Sequence, residues 1–421
     1  MSGSFSEKTG RRQDKKGECR MKYDFTSHLE RHGMDAIAVD GVGRPGVPGA
    51  PKEGFDVIPM WVADMNFPAL PDIPAAISRR AQHPAYGYFA PPQAYYDAIC
   101  TWQQKRNGVQ GLTREQIGYE NGVLGGVVSA LSVMAAPGDA VLVHSPTYIG
   151  FTKSLENAGY RIVHSPLHRD AEGVWRMDLA DMEEKLQTYR IHAAILCSPH
   201  NPCGRVWTRE ELQQVMEVYR RHDCYVISDE IWSDILLDGH THIPTQSVGE
   251  DARNRTVALY APSKTFNLAG LVGSYHIIYN PWLRDRVQAA GSKSHYNSMN
   301  VLSMHALMAA YSEAGAQWVD ELCTVLSENV RYACDHIESR YPGVTLARPQ
   351  GTYMLFLDCS GWCADHGCTL DELLRAGWDV GVAWQDGRPF HGPCAIRMNL
   401  ALPLDRVREA FDRLDRYVFR G

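Results

Sequence analysis

A chain of 421 residues is long enough for two domains, or one large domain with a substantial buried core. Its net charge of −7 excludes the basic footprint that nucleic-acid binding requires, yet leaves room for an anionic ligand held by backbone N–H groups. With 44% hydrophobic and 22% charged residues the composition is that of a soluble globular protein, which bounds size and solubility and leaves the chemistry open.

Residues 1–20, MSGSFSEKTGRRQDKKGECR, are too polar to pack and predict a flexible N-terminal arm. They lack the apolar stretch of a secretory signal, so the eleven cysteines are read as reduced thiols of a cytoplasmic protein. The most apolar stretch, residues 122–143, is broken by Pro137-Gly138-Asp139. That break predicts a turn between a buried helix and a strand, and no membrane span. Short apolar runs then alternate with amphipathic stretches. AVLVHSP (140–146), HAAILCSP (192–199), CYVISDE (224–230) and TVALYAPSK (256–264) read as strands ending in polar residues. Between them, RMDLADMEEKLQTY (176–189) and TREELQQVMEVYRRH (208–222) carry apolar residues at helical spacing. The second opens with Thr208 and Glu211, the pattern of a capping box. Further on, PQGTYMLFLD (349–358) and AIRMNLALP (395–403) read as strands of a smaller α+β unit after a long helical stretch. One cluster, Cys359, Cys363, His366 and Cys368, has a C-x3-C-x2-H-x-C spacing without paired C-x2-C knuckles, so no metal is assigned to it.

Strand–helix–strand alternation predicts an α/β fold, a mostly parallel sheet with helices on both faces and its ligand outside the carboxyl ends of the strands. Those ends deliver Tyr148, Asn201, Asp229 and Lys264 to one crevice. The four match the needs of a pyridoxal-phosphate enzyme: a ring to stack on the cofactor, a donor to its phenolate oxygen, a carboxylate to keep its pyridine nitrogen protonated, and a lysine to form the imine and move the Cα proton. An ion pair at ~4 Å and an effective dielectric of ~20 is worth roughly 4 kcal/mol before desolvation, enough to hold that nitrogen in its charged form. Singly, a lysine in SKT reads as a surface amine, Asn-Pro as a turn and Asp-Glu as a helix cap; it is their joint placement that points to the cofactor.

The segments SPHNPCGRVW, VISDEIW and APSKTFNLAGL resemble the fold-type-I pyridoxal-phosphate enzymes of the aminotransferase class I/II superfamily. MWVADMNFPALPDIPAAISRRAQHPAYGY (60–88) is similar to the opening of the cystathionine β-lyase-like C–S lyases, the cystalysin branch. The resemblance implies an aspartate-aminotransferase-like fold, with a large cofactor-binding domain over residues 66–300 and a small domain made of 21–65 and 301–421. It implies a homodimer in which Tyr88 reaches the partner subunit's cofactor phosphate. Val123 and Leu124 match the turn whose N–H groups bind the phosphate at a helix N-terminus, and Arg397 matches the arginine that clamps the substrate α-carboxylate.

The chain departs from this pattern in places. Ala261 stands where relatives often place a phosphate-binding serine, so either Ser263 serves instead or the contact is absent. Val272 replaces the phosphate arginine of aspartate aminotransferases, Asn66 replaces an aspartate, and Trp232 stands where histidine or tyrosine is common, lining the pocket near the cofactor. Trp384-Gln385-Asp386 replaces a Pro-Gly segment near the substrate entrance, so side-chain specificity does not carry over. His144, His164, His200, His295 and His391 receive no catalytic role, His200 being read as a hydrogen-bonded structural residue and Cys197 and Cys203 as structural thiols. The resemblance implies a β-lyase that cleaves cystathionine or another cysteine S-conjugate to a thiol, pyruvate and ammonia. The alternatives are an aminotransferase, which shares every step through removal of the Cα proton, and a regulatory protein that keeps the fold.

Overall fold

The computed structural model describes residues 21–293 and 297–420. The expected N-terminal arm and His295 lie outside them. Seven strands form the central sheet: β1 (Ile117–Glu120), β2 (Ala140–Ser145), β3 (Arg161–Pro166), β4 (Ala193–Cys197), β5 (Tyr225–Asp229), β6 (Thr256–Tyr260) and β7 (Ser274–Ile277). Their spatial order is β1-β7-β6-β5-β4-β2-β3, and all pairs are parallel except those made by β7. The α/β expectation holds.

The inner strands β4 and β6 are buried along their whole length, as a parallel sheet covered on both faces requires. The two-residue period sorts their side chains. Val141, Val143, Ile195, Cys197, Ile227 and Leu259 pack on one face with the helices α1 (Val123–Met134) and α2 (Ile149–Asn157). Leu142, Ala194, Leu196 and Val226 pack on the other with α3 (Leu179–Tyr189) and α4 (Arg209–Arg221). Asp229 has the parity of Ile227, so it emerges on the α1 side. Pro137-Gly138-Asp139 turns the chain between α1 and β2, as its composition predicts. Helix α4 begins with the expected capping box between Thr208 and Glu211.

The C-terminal part contains a four-stranded antiparallel sheet of β8 (Thr345–Leu346), β9 (Met354–Asp358), β10 (Gln385–Asp386) and β11 (Ala395–Asn399), in the order β8-β9-β11-β10. The 28-residue helix α5 (Glu313–Arg340), capped by Ser312, packs beside it. Residues 58–66 connect this sheet to the central one. Ile58–Pro59 pairs in parallel with Val382–Ala383, and the Asn399 amide donates to the Val62 and Asp64 carbonyls at 2.6 Å each. On the other side, Asn267 holds Met65 through both backbone groups, accepting its N–H at 3.0 Å and donating to its carbonyl at 2.9 Å. Asn267 lies at φ 58°, in the left-handed region that asparagine tolerates. Thus the segment just before the first long helices is fixed against both the C-terminal sheet and the lysine-bearing turn.

Candidate active site

A cavity of about 290 Å³ opens at the carboxyl ends of β2, β4, β5 and β6, where the fold rule places a ligand. Eight of the ten site residues expected from sequence line it: Val123, Leu124, Tyr148, Asn201, Asp229, Trp232, Ser263 and Lys264. Arg397 stands immediately behind, donating to the Asn201 side-chain oxygen at 3.2 Å. Tyr88 does not join this cluster; it is fully exposed on the single chain.

Gly122, at φ 81°, breaks out of β1 and caps α1. The first helical bond runs from Gly126 N–H to the Gly122 carbonyl, so the N–H groups of Val123 and Leu124 have no intrahelical acceptor at the cavity edge. Such a terminus favours an anion. The Tyr148 ring lies against Gly150, where a β-carbon would come within 2.3 Å of it. Only glycine therefore lets the ring lie along the start of α2. Ala261 lines the wall without a hydroxyl, and Ser263 lies on it beside the lysine. Val272, the residue expected to stand in place of the phosphate arginine of aspartate aminotransferases, also lines the cavity, at φ 48°.

Asp229 ends β5, buried, with Oδ1 accepting the Ile231 N–H at 3.1 Å. Its Oδ2 has no hydrogen-bond donor among the described residues. Burial pushes its carboxyl up to about 7, against the Ile231 bond and the attraction of Lys264. The Lys264 Nζ donates to the Ala63 carbonyl at 2.7 Å and lies 5.7 Å from the centre of the Trp232 ring. Desolvation lowers its ammonium to about 8, helped by the positive Arg397 and opposed by Asp64 and Asp229. The amine is thus close to releasing its proton at neutral pH, the state a base or nucleophile needs.

Arg397 is buried in β11. Its guanidinium donates to Asn201, to the Trp61 carbonyl at 2.9 Å and to the Gln385 amide oxygen at 2.5 Å, and lies 4.4 Å from the Phe390 ring centre. All these partners are neutral, and no carboxylate lies within ion-pair distance among the described residues. Its Nε is buried without a partner. A buried cation left uncompensated in this way is costly by itself and suits an anionic ligand. Burial accordingly lowers its pKa to about 10.

Sequence reasoning missed several contributors. Gln385, expected only near the substrate entrance, is paired with Arg397 across the β10–β11 register, and only that register reveals the pairing. Tyr353 directs its hydroxyl to the same Ala63 carbonyl that holds Lys264, at 3.2 Å, and packs edge-on against Trp232. The Ala63 and Trp61 contacts are made by backbone carbonyls, which carry no residue signature. The substitution at Asn66 is accounted for: its Oδ1 accepts from Arg31 at 2.7 Å, while Arg31 also pairs with Asp64 at 2.6 Å. His200 is buried and bonded to the Pro146 carbonyl at 2.7 Å, as the structural reading requires.

The donor set fits pyridoxal phosphate. An anion-seeking helix end, a free Asp229 oxygen for a cationic ring nitrogen, an Asn201 amide for a phenolic oxygen and a near-neutral lysine surround one cavity. The family described as aminotransferase class I and II matches residues 56–414. The chain is 36% identical over 395 residues to the cystathionine beta-lyase PatB of Bacillus subtilis (strain 168), covering 93% of this chain and 98% of that one. It superposes on cystalysin from Treponema denticola, which contains pyridoxal 5'-phosphate, with a TM-score of 0.85 at 28% identity, covering 94% and 98% of the two chains. The PLP-bound C–S lyase from Staphylococcus hominis is similar at a TM-score of 0.84 and 28% identity, with 94% and 97% covered. The motifs, the fold and these likenesses agree: the chain belongs to the aminotransferase class I and II family, in its cystathionine β-lyase-like branch.

Proposed function

We propose that this protein is a pyridoxal-phosphate-dependent C–S β-lyase that cleaves cystathionine or a related cysteine S-conjugate to a thiol, pyruvate and ammonia. The cavity that joins Lys264, its ammonium lowered to about 8, with Asp229 and, just behind, the uncompensated Arg397 supports the cofactor chemistry, and the likeness to cystathionine β-lyase and C–S lyases supports β-elimination. When bound, the cofactor supplies an electron-accepting ring. Lys264 holds it covalently and moves the proton at the substrate Cα. Asp229 keeps the ring nitrogen protonated, Asn201 donates to the phenolic oxygen, and Tyr148 and Trp232 confine the ring. Val123, Leu124 and Ser263 hold the phosphate. Arg397 receives the α-carboxylate, orienting the Cα–H bond toward Lys264.

The exposed ring of Tyr88, with exposed Tyr86 and Phe89 beside it, supports a homodimer in which each chain lends Tyr88 to the other's phosphate. The described cysteines are all free thiols, which suits the cytoplasm. No helix among the described residues is long and apolar enough to cross a membrane.

The test is incubation of purified protein with L-cystathionine and no keto acid. Matching amounts of pyruvate and free thiol are expected. Conversion of the cofactor to its pyridoxamine form without pyruvate would replace the lyase by an aminotransferase. Replacing Arg397 with lysine keeps the charge but loses the planar fork. Charge-assisted hydrogen bonds of this kind are worth about 1.5–3 kcal/mol, so KM is expected to rise roughly 10- to 100-fold with a smaller change in kcat. An unchanged KM would remove Arg397 from carboxylate recognition.

A further inference from the structure

The N–H groups of the Arg397 guanidinium are unevenly committed. A guanidinium carries one N–H on Nε and two on each Nη. Here Nη1 donates to the Asn201 side-chain oxygen at 3.2 Å, while Nη2 donates to both the Trp61 carbonyl at 2.9 Å and the Gln385 amide oxygen at 2.5 Å. A bidentate carboxylate takes two parallel N–H bonds along one edge of the fork, from Nη1 and Nη2 or from Nε and Nη2. Either edge needs an N–H of Nη2, and Trp61 and Gln385 hold both. One of these two contacts therefore yields when a carboxylate binds.

The two acceptors differ in what fixes them. The Trp61 carbonyl belongs to the segment clamped between the sheets. Beside it, the Met60 N–H donates to the Ala383 carbonyl at 3.1 Å, the Met60 carbonyl accepts the Asn399 N–H at 2.7 Å, and the Trp61 indole donates to the Ala38 carbonyl at 2.9 Å. Gln385 is a half-buried side chain on β10, a two-residue strand at the edge of its sheet. Rotation about its side-chain bonds withdraws the amide without moving any backbone. Its chemistry favours the exchange as well. An amide oxygen satisfies an N–H but brings no charge, so the buried Arg397 gains more from a carboxylate in the same place. Nearby acids of the chain are committed to other cations, Asp386 to Arg388 at 2.8 Å and Asp64 to Arg31 at 2.6 Å.

We propose that Gln385 is an internal competitor for the α-carboxylate. Its amide oxygen holds Nη2 until the substrate's carboxylate replaces it, and this exchange sets how tightly free amino acids bind. The proposal rests on Arg397 as the carboxylate receptor, and it holds for a lyase and an aminotransferase alike. Gln385 is thus a positioning residue that acts on the substrate through Arg397. A residue without an acceptor at this position opens the fork, and an acid closes it by matching both the geometry and the charge of the ligand.

The experiment titrates the holoenzyme with L-alanine, which has no leaving group at Cβ, and with L-alaninamide, which lacks the carboxylate, reading the change in cofactor absorbance as each binds. Gln385→Met keeps the side-chain length and removes the acceptor. Its dissociation constant for L-alanine is expected to fall roughly 3- to 10-fold, the share of a neutral hydrogen-bond acceptor. Gln385→Ala should show the same fall, and it decides the matter if the methionine variant loses its cofactor absorbance. Gln385→Glu is expected to raise the constant roughly 10- to 100-fold. L-Alaninamide should bind all of these proteins alike. A side chain that merely braced Arg397 gives the opposite sign, because its loss loosens the fork and weakens carboxylate binding. Unchanged or weaker binding of L-alanine by Gln385→Met overturns the proposal, as does an equal gain for L-alaninamide. If the unmodified protein does not distinguish the two ligands, Arg397 is not the carboxylate receptor and the proposal falls with that reading. The two failures are therefore told apart by the unmodified protein.

Discussion

Lys264→Ala is expected to lower turnover by at least ~10⁴-fold while leaving the fold intact. The size follows from two roles lost together. Positioned proton transfer alone contributes about 10²–10⁴-fold, and the covalent hold on the cofactor adds to it. The fold survives because the amine makes a single hydrogen bond, to the Ala63 carbonyl, which keeps the Tyr353 hydroxyl as a partner at 3.2 Å. Lys264→Arg should be equally inactive, since a guanidinium does not give up its proton in this range. The variants are checked by pyruvate release and by disappearance of the lysine-bound cofactor's absorbance, with circular dichroism as the control for folding. A second readout uses the cofactor-free chain. Burial lowers the ammonium from 10.5 to about 8, so between these values the folded chain binds fewer protons than the unfolded one. The site therefore gains stability as pH rises from about 8 toward 10.5, and Lys264→Ala should flatten that slope. Turnover comparable to the unmodified protein would sink the assignment of Lys264.

The parts of this site that sequence made legible are those carried by strand ends. Tyr148, Asn201, Asp229 and Lys264 each follow an apolar run, and a parallel sheet brings such ends together without any long-range information beyond the alternation itself. Val123 and Leu124 were legible only through the resemblance, which matches them to a phosphate-binding turn at a helix N-terminus. What stayed hidden depends on registers and backbone atoms. Gln385 reaches Arg397 only because β10 and β11 pair at that register, and Ala63 reaches Lys264 through a carbonyl that any residue would offer. Asn267, three residues past the lysine, fixes that carbonyl's segment by clamping Met65, a role visible only once residues 58–66 are placed between the sheets. Tyr88 is a different case, since its expected target belongs to another copy of the chain.

Asp229→Asn is expected to reduce kcat/KM by roughly 10³-fold, the second largest effect. The substitution is nearly isosteric and keeps an oxygen to accept the Ile231 N–H, but it removes the negative charge from the cavity floor. A carboxylate about 4 Å from a cationic ring nitrogen, at an effective dielectric of ~20, is worth roughly 4 kcal/mol, or about three orders of magnitude. The loss should fall on the chemical step more than on cofactor retention, because the helix end at Val123 and Leu124 and the covalent hold by Lys264 remain. Measuring bound cofactor by absorbance alongside kcat/KM separates the two. The cofactor-free proteins supply an independent check with the opposite slope to that of Lys264. Burial raises the Asp229 carboxyl from 3.8 to about 7, so the folded chain holds an extra proton between these values. The contribution is fully present below 3.8 and is lost as pH rises through about 7, at up to about 1.4 kcal/mol per pH unit. Asp229→Asn should abolish that decline, and a bound cationic ring should suppress it in the unmodified protein by giving the carboxylate its missing countercharge. If the variant keeps its cofactor and loses less than about tenfold in kcat/KM, the ion pair between Asp229 and the ring nitrogen is not formed, and the ring nitrogen must be held by some other group.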